Sequence, residues 1–173
     1  ISTDASDVAG GAFCHATGDW LYTNWLLDKP ELAGQHINLK ELAAVKVAIE
    51  RWGSVFPNHN MLFYTDNLAT HYWINHWNAR FGIASELSKN IASLAQRHNL
   101  SISCSYVKGA NNHFADAISR QHQNGQMLRL QAALHVHGYP YILDVLSHMS
   151  MLSALFLLPR VNRFHQTLGS WTQ

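Results

Sequence analysis

The chain has 173 residues and a mass of 19.5 kDa, which suits one domain, alone or with a short extension. Hydrophobic residues make up 47% of it, which excludes a disordered chain, and its two cysteines exclude a scaffold held by several disulfides. The formal net charge is +1, so charge alone predicts no partner.

The N-terminal residues, ISTDAS, contain neither a start methionine nor the charged and then apolar segments of a secretory signal. We therefore expect a piece of a longer protein or a mature fragment, located in the cytoplasm or nucleus and not secreted. The apolar-rich run at 145–158 is shorter than the ~20 residues that a membrane span requires. No membrane partner is predicted.

The first third of the chain predicts three strands and a long helix. The strands are expected at 1–6, 10–15 and 19–27, followed by a polar connection at 28–37. Apolar residues then recur every three to four positions over 38–53, which predicts an amphipathic helix.

The rest of the chain predicts two further strands, three helices and an extension. These elements are expected, in the order strand, helix, helix, strand and helix, at 61–65, 67–77, 84–99, 100–107 and 113–121. Their order predicts an α/β fold with a mixed sheet. The composition changes after residue 121, and residues 122–173 are predicted to form a helical C-terminal extension or the start of a following domain. An extension could pack on the domain or be attached loosely as a docking surface.

Four acidic residues lie where the predicted elements begin or end. Asp4 is on the first strand, Glu41 is in the first turn of the main helix, Asp66 ends an apolar strand, and Asp116 is in the first turn of the last helix. Ligands collect at such edges of α/β sheets. Four carboxylates there repel each other unless cations are bound, and hard oxygen ligands select Mg²⁺ or Mn²⁺. Two such ions can assist a phosphoryl displacement.

Each of these acids also has an ordinary structural explanation. Asn38 and Glu41 form a capping-box pattern, and Asp66 is a favoured N-cap residue. Asp116 suits the positive end of a helix dipole, and Asp4 suits a solvated strand end. Their joint occurrence is what favours a metal site.

The segments TDAS with GGAF, INLKELAAVKVAI, FYTDN and GANNHFADAISR together resemble the ribonuclease H domain of retroelement reverse transcriptases, of the DIRS and LTR retrotransposon kinds. The resemblance covers residues 1–121 and leaves 122–173 outside. It implies a ribonuclease H-like fold, with a five-stranded mixed sheet and helices on both faces. It also implies cleavage of the RNA strand of RNA–DNA hybrids, leaving 3′-hydroxyl and 5′-phosphate ends.

The resemblance also implies the roles of the acidic residues. Asp4 is expected to bridge two Mg²⁺ ions, with Mn²⁺ as the alternative metal, while Glu41, Asp66 and Asp116 complete the catalytic metal shell. The attacking water is then activated by a metal, so no side-chain general base is required.

Four further residues are expected to contact the substrate. Asn38 matches a position that reads the minor groove of the hybrid, where a 2′-hydroxyl distinguishes RNA from DNA, although it also fits a helix cap. Ser6, Asn67 and His113 are the other candidates.

The chain departs from the family pattern at three places. Val107 stands about where many relatives carry a loop histidine; His113 is the nearest substitute, and it also suits the start of a helix. His36 stands where a small hydroxyl residue is common. The segment at 75–83 is not rich in lysine and arginine, so grip on the hybrid is expected from an adjacent reverse transcriptase domain or from the extension.

The leading hypothesis is removal of template RNA during reverse transcription of a retroelement. The alternative is a non-catalytic module of the same fold that binds the hybrid or braces a polymerase domain. A transposase or integrase core is disfavoured, because those enzymes usually place their glutamate on a late helix.

Overall fold

A computed structural model describes residues 1–79, 82–123 and 125–138 of the chain. Within these residues, five strands form one sheet in the order β3-β2-β1-β4-β5. Strands β1–β2 and β2–β3 pair antiparallel, whereas β1–β4 and β4–β5 pair parallel, which confirms the predicted mixed sheet. The strands are β1 (Ser2–Ala5), β2 (Ala9–Phe13), β3 (Trp20–Asn24), β4 (Asn60–Thr65) and β5 (Ser101–Tyr106).

Helices flank the sheet, and two short 3₁₀ turns lie in the connections. The helices are α1 (Trp25–Asp28), α2 (Ile37–Trp52), α3 (Leu68–His76), α4 (Gly82–His98), α5 (His113–Ser119) and α6 (Gln126–Val136), and the 3₁₀ turns are Pro30–Leu32 and Gly109–Asn111.

Two hydrophobic cores lie on opposite faces of the sheet, because successive side chains of a strand point to opposite sides. Ala12 of β2 packs into the first core, together with buried residues of α2, α4 and β4. Phe13 packs into the second core, which α5 and α6 cover. Helices therefore lie on both faces, as predicted.

The third strand is shorter than predicted. It ends at Asn24, whose side chain accepts a hydrogen bond from the Leu27 N–H and so begins α1. Trp25 is fully buried, and its Nε1 donates to the Ser6 carbonyl at 3.0 Å. The prediction of a strand through residue 27 was therefore wrong. The chain turns into α1 after Asn24, and this turn places the Trp25 indole in the core.

The capping box predicted at Asn38 and Glu41 was also wrong. The N-cap of α2 is His36, whose Nδ1 accepts the Asn38 N–H at 3.2 Å. Glu41 therefore lies in the second turn, where its carboxylate reaches the end of β1. Asp66 is not a cap either, because Asn67 accepts the Thr70 N–H and begins α3.

Part of the predicted helical extension is described. Helix α6 packs on α5, and Leu130 and Leu134 are almost completely buried in the second core. The apolar-rich run at 145–158 lies outside the described residues. Among the described helices, none combines the length and the apolar character needed to cross a bilayer.

Candidate metal centre

Three of the four predicted acids meet at one edge of the sheet. The C-terminal ends of β1 and β4 lie at this edge, since the two strands are parallel, and α2 passes beside it. The structure brings together one carboxylate oxygen each from Asp4, Glu41 and Asp66, all within 4.8 Å of one another. Residues separated by more than 60 positions thus form one acidic cluster.

The two innermost carboxylates are deeply buried. Asp4 is 3% exposed and Glu41 is 4% exposed. The Ala5 N–H donates to Glu41 Oε1 at 3.1 Å, whereas Glu41 Oε2 is buried without a hydrogen-bond partner among the described residues. An unpartnered buried oxygen of this kind is costly unless a cation satisfies it.

The pKa values of these two carboxyl groups are far from ordinary. The pKa of Asp4 is raised to about 7, chiefly by burial and further by the charges of Asp66 and Asp116. The pKa of Glu41 is raised to about 9, again chiefly by burial and then by the charge of Asp4. At neutral pH, Glu41 therefore retains its proton and Asp4 is only partly ionised, unless a bound divalent cation supplies positive charge.

The donor set of the cluster fits a hard cation. All three side chains offer carboxylate oxygens, which are the ligands that such ions prefer. No histidine or cysteine of the described residues belongs to this cluster. Asp4, Glu41 and Asp66 could therefore hold a divalent metal ion.

Asp116 lies next to the cluster but outside it. Its Oδ1 accepts a hydrogen bond at 2.6 Å from the Nε of Arg120, the residue that follows α5. Its charge nevertheless contributes to the raised pKa of Asp4. The role of Asp116 as a metal ligand stays a prediction.

Two of the predicted substrate-binding residues are joined beside the acids. Asn67 Nδ2 donates to Asn38 Oδ1 at 2.9 Å, and both side chains are partly buried. Asn67 follows Asp66 directly, and Asn38 lies nearly one helical turn before Glu41. The pair therefore links α2 to the start of α3 at the border of the acidic cluster.

Ser6 and His113 are engaged within the protein. The Ser6 hydroxyl accepts the Ala9 N–H at 3.0 Å and lies 2.9 Å from the Ser119 carbonyl oxygen. His113 begins α5, and its ring stacks on that of His137 with centroids 5.3 Å apart. Burial lowers the pKa of His113, and His137 lowers it further. Contact of Ser6 and His113 with substrate stays a prediction.

Three residues around the cluster were not predicted as site residues. Ser119 Oγ donates to Asp4 Oδ2, Arg120 binds Asp116, and Asn112 Nδ2 donates to the Thr3 carbonyl at 2.9 Å. All three belong to the segment GANNHFADAISR, one of the four motifs that resemble ribonuclease H domains. The resemblance was therefore the one sign in the sequence that this segment matters for the site. No local pattern, however, reveals that α5 returns to β1.

No model of a known protein family matches the chain, and no curated protein matches it either. The α/β fold and the three-carboxylate cluster stand on the structure. The resemblance of the four motifs to ribonuclease H domains stays a prediction.

Proposed function

We propose that the chain is a divalent-metal-dependent nuclease of the ribonuclease H type, which hydrolyses the RNA strand of RNA–DNA hybrids during reverse transcription of a retroelement. One observation carries this proposal: carboxylates from β1, α2 and the end of β4 converge, with a buried oxygen of Glu41 left without a partner. Burying ionised carboxylates together is costly unless a cation offsets their charges.

In this proposal, two Mg²⁺ ions or two Mn²⁺ ions are bound by the carboxylates of Asp4, Glu41 and Asp66. Asp116 lies next to these ligands. Asp4 and Glu41 release their protons when they bind the metal, because only the ionised carboxylate is a good ligand. Bound divalent cations supply the charge that stabilises the attacking and leaving oxygens of a phosphodiester displacement.

The asparagine pair supports recognition of the hybrid. Because Asn67 binds the Asn38 oxygen, the Asn38 NH₂ group is the part of that side chain that donates to a substrate. A 2′-hydroxyl or a base oxygen in the shallow minor groove is a suitable acceptor. Such contacts distinguish an RNA strand from a DNA strand.

Binding of the hybrid requires more positive charge than the chain supplies. Its net charge is +1, and phosphate contacts from Lys and Arg provide most non-specific affinity for nucleic acids. We therefore propose that an adjacent reverse transcriptase domain of the same polyprotein supplies the rest of the affinity for the hybrid.

Cleavage of a hybrid labelled on each strand tests the proposal. With Mg²⁺ or Mn²⁺, we expect the native chain to cut the RNA strand alone and to leave 5′-phosphate ends. Asp66→Asn should reduce the rate to background. Asp28→Asn is the matched control, because Asp28 is exposed and accepts a hydrogen bond from the Asn24 N–H that an asparagine oxygen can also accept.

Equal cleavage by Asp66→Asn and the native chain would contradict the proposed role of Asp66. Hybrid binding without cleavage, even after a reverse transcriptase domain is added, would instead favour the non-catalytic module.

A further inference from the structure

We propose that Ser119 is a positioning residue, which orients the Asp4 carboxylate for metal binding; this inference rests on the proposed function. Ser119 is the last residue of α5 and is completely buried, and its hydroxyl donates to Asp4 Oδ2. The hydrogen bond to Asp4 is the contact that joins Ser119 to the acidic cluster, so in this proposal the serine acts through Asp4.

The Ser119 proton has two acceptors within reach, and Asp4 is the better one. The second acceptor, the Asp116 carbonyl oxygen, lies 3.0 Å from Ser119 Oγ. That carbonyl already accepts the Arg120 N–H at 3.1 Å. Because a carboxylate is a stronger acceptor than a neutral carbonyl, the hydroxyl donates to Asp4.

Two contacts keep Ser119 close to β1. The Ser6 hydroxyl lies 2.9 Å from the Ser119 carbonyl oxygen, which ties the end of α5 to the turn after β1. Gly11 lies directly opposite Asp4 in the sheet, and a Cβ there would be 2.5 Å from the Ser119 nitrogen. The missing side chain at position 11 therefore lets α5 approach closely enough for Ser119 to reach Asp4.

The bond fixes the orientation of the Asp4 carboxylate. Because Ser119 holds Oδ2, the rotation of the group is restricted while one of its oxygens lies within 4.8 Å of oxygens of Glu41 and Asp66. Hydrogen bonds from outside the ligand set commonly fix ligand orientation in this way, and their loss typically weakens metal binding by 10- to 100-fold.

Calorimetric titration of the full chain with Mn²⁺ tests this inference. We expect Ser119→Ala to weaken Mn²⁺ binding by about tenfold or more. Ser119→Cys keeps nearly the same shape but offers only a weak donor, so it should lose a similar factor. The Mn²⁺ concentration for half-maximal cleavage of the hybrid should rise in parallel.

Ser88→Ala is the matched control. Ser88 is also buried in a helix, but its hydroxyl has no partner among the described residues, so its removal should leave Mn²⁺ affinity unchanged. Thermal unfolding of each variant in metal-free buffer separates loss of fold from loss of orientation.

Native-like Mn²⁺ affinity in both Ser119 variants would overturn the positioning role and leave the proposed function intact. A lower unfolding temperature with unchanged affinity would also overturn it, because the role would then be merely structural. Failure of the native chain to bind Mn²⁺ at all would instead overturn the proposed function, and this inference with it.

Discussion

Glu41 is buried beside Asp4, although each carboxylate is best solvated in water when it is charged. The Ala5 N–H satisfies one Glu41 oxygen, and the other has no partner among the described residues. A residue placed in this way lowers stability in the absence of metal. Stability is commonly lower at sites where function requires such groups.

Glu41→Gln should therefore stabilise the metal-free protein at alkaline pH. The pKa of Glu41 rises from 4.5 to about 9 on folding, so the folded state binds more protons than the unfolded state between these values. The contribution of Glu41 to the free energy of unfolding then falls as pH rises through this range. At pH 8 with a chelator, we expect the variant to be more stable by about 5 kcal/mol at most, and at pH 5 by about 1 kcal/mol at most.

Thermal unfolding at the two pH values measures this difference, and saturating Mg²⁺ should reverse its sign. Glu31→Gln is the control, because it makes the same charge change on an exposed side chain. If Glu41→Gln were instead less stable than the native chain at pH 8 without metal, burial of the Glu41 carboxylate would not be destabilising.

At the residue scale, the sequence predicted that Asp4, Glu41 and Asp66 meet, but it did not predict their hydrogen-bond partners. Asp4 and Asp66 could be predicted because strand ends at one edge of a parallel pair must meet. The N-cap of α2 could not be predicted in this way. Asparagine is a preferred N-cap residue, so the sequence favoured Asn38, whereas the structure uses His36, whose Nδ1 accepts the hydrogen bond.

Helix α5 is the element that sets the geometry of the site. It carries Asp116 and Ser119, and it packs against β1 and β2. Its close approach depends on Gly11, where a Cβ would lie 2.6 Å from the Ala115 carbonyl oxygen. Such a clash with backbone atoms cannot be relieved by rotating a side chain.

Gly11→Ala should push α5 away from the sheet. We expect a loss of about 1–3 kcal/mol in the free energy of unfolding, as in other overpacked interiors, together with weaker Mn²⁺ binding. Denaturant unfolding and calorimetry measure the two effects. Gly34→Ala is the matched control, because a Cβ there meets no atom within 4 Å. Equal stability of the two variants would contradict the close packing of α5.

At the element scale, periodicity predicted the long helices well. Helix α4 buries one face, and α2 does so after Val45, where Ala48, Ile49 and Trp52 are buried. Helix α1 was missed, since Trp25, Leu26 and Leu27 continue the apolar character of β3. The Asn24 cap and the burial of Trp25, which is a tertiary effect, together end the strand. The sequence also did not predict the close approach of α5 to β1. That approach depends on Gly11 in β2, and a glycine in a strand can be explained in several ways.

At the scale of the whole molecule, the second core extends past the predicted domain boundary at residue 121. Leu130 and Leu134 of α6 pack with Phe13 of β2 and with Phe114 of α5. The sequence indicated a helix here but left open whether it packs or is loosely attached. The contacts of α6 show that residues up to 136 belong to the packed structure.

Leu134→Ala should therefore cost about 2–5 kcal/mol of unfolding free energy, the usual range for a leucine truncated in a core. Leu128→Ala, on the same helix, should change it by about 0.5 kcal/mol or less, because Leu128 is 71% exposed. Denaturant unfolding of both variants measures the difference. Two equal and small effects would indicate that α6 is not part of the core.

The most direct test of the central claim is anomalous diffraction from crystals of the native chain with Mn²⁺ bound. We expect a strong manganese peak in contact with oxygens of Asp4, Glu41 and Asp66, including the unpartnered Glu41 Oε2. The peak should be absent from Asp66→Asn crystals grown in the same way. A well-ordered native structure with no manganese between these three carboxylates would contradict the proposed metal site.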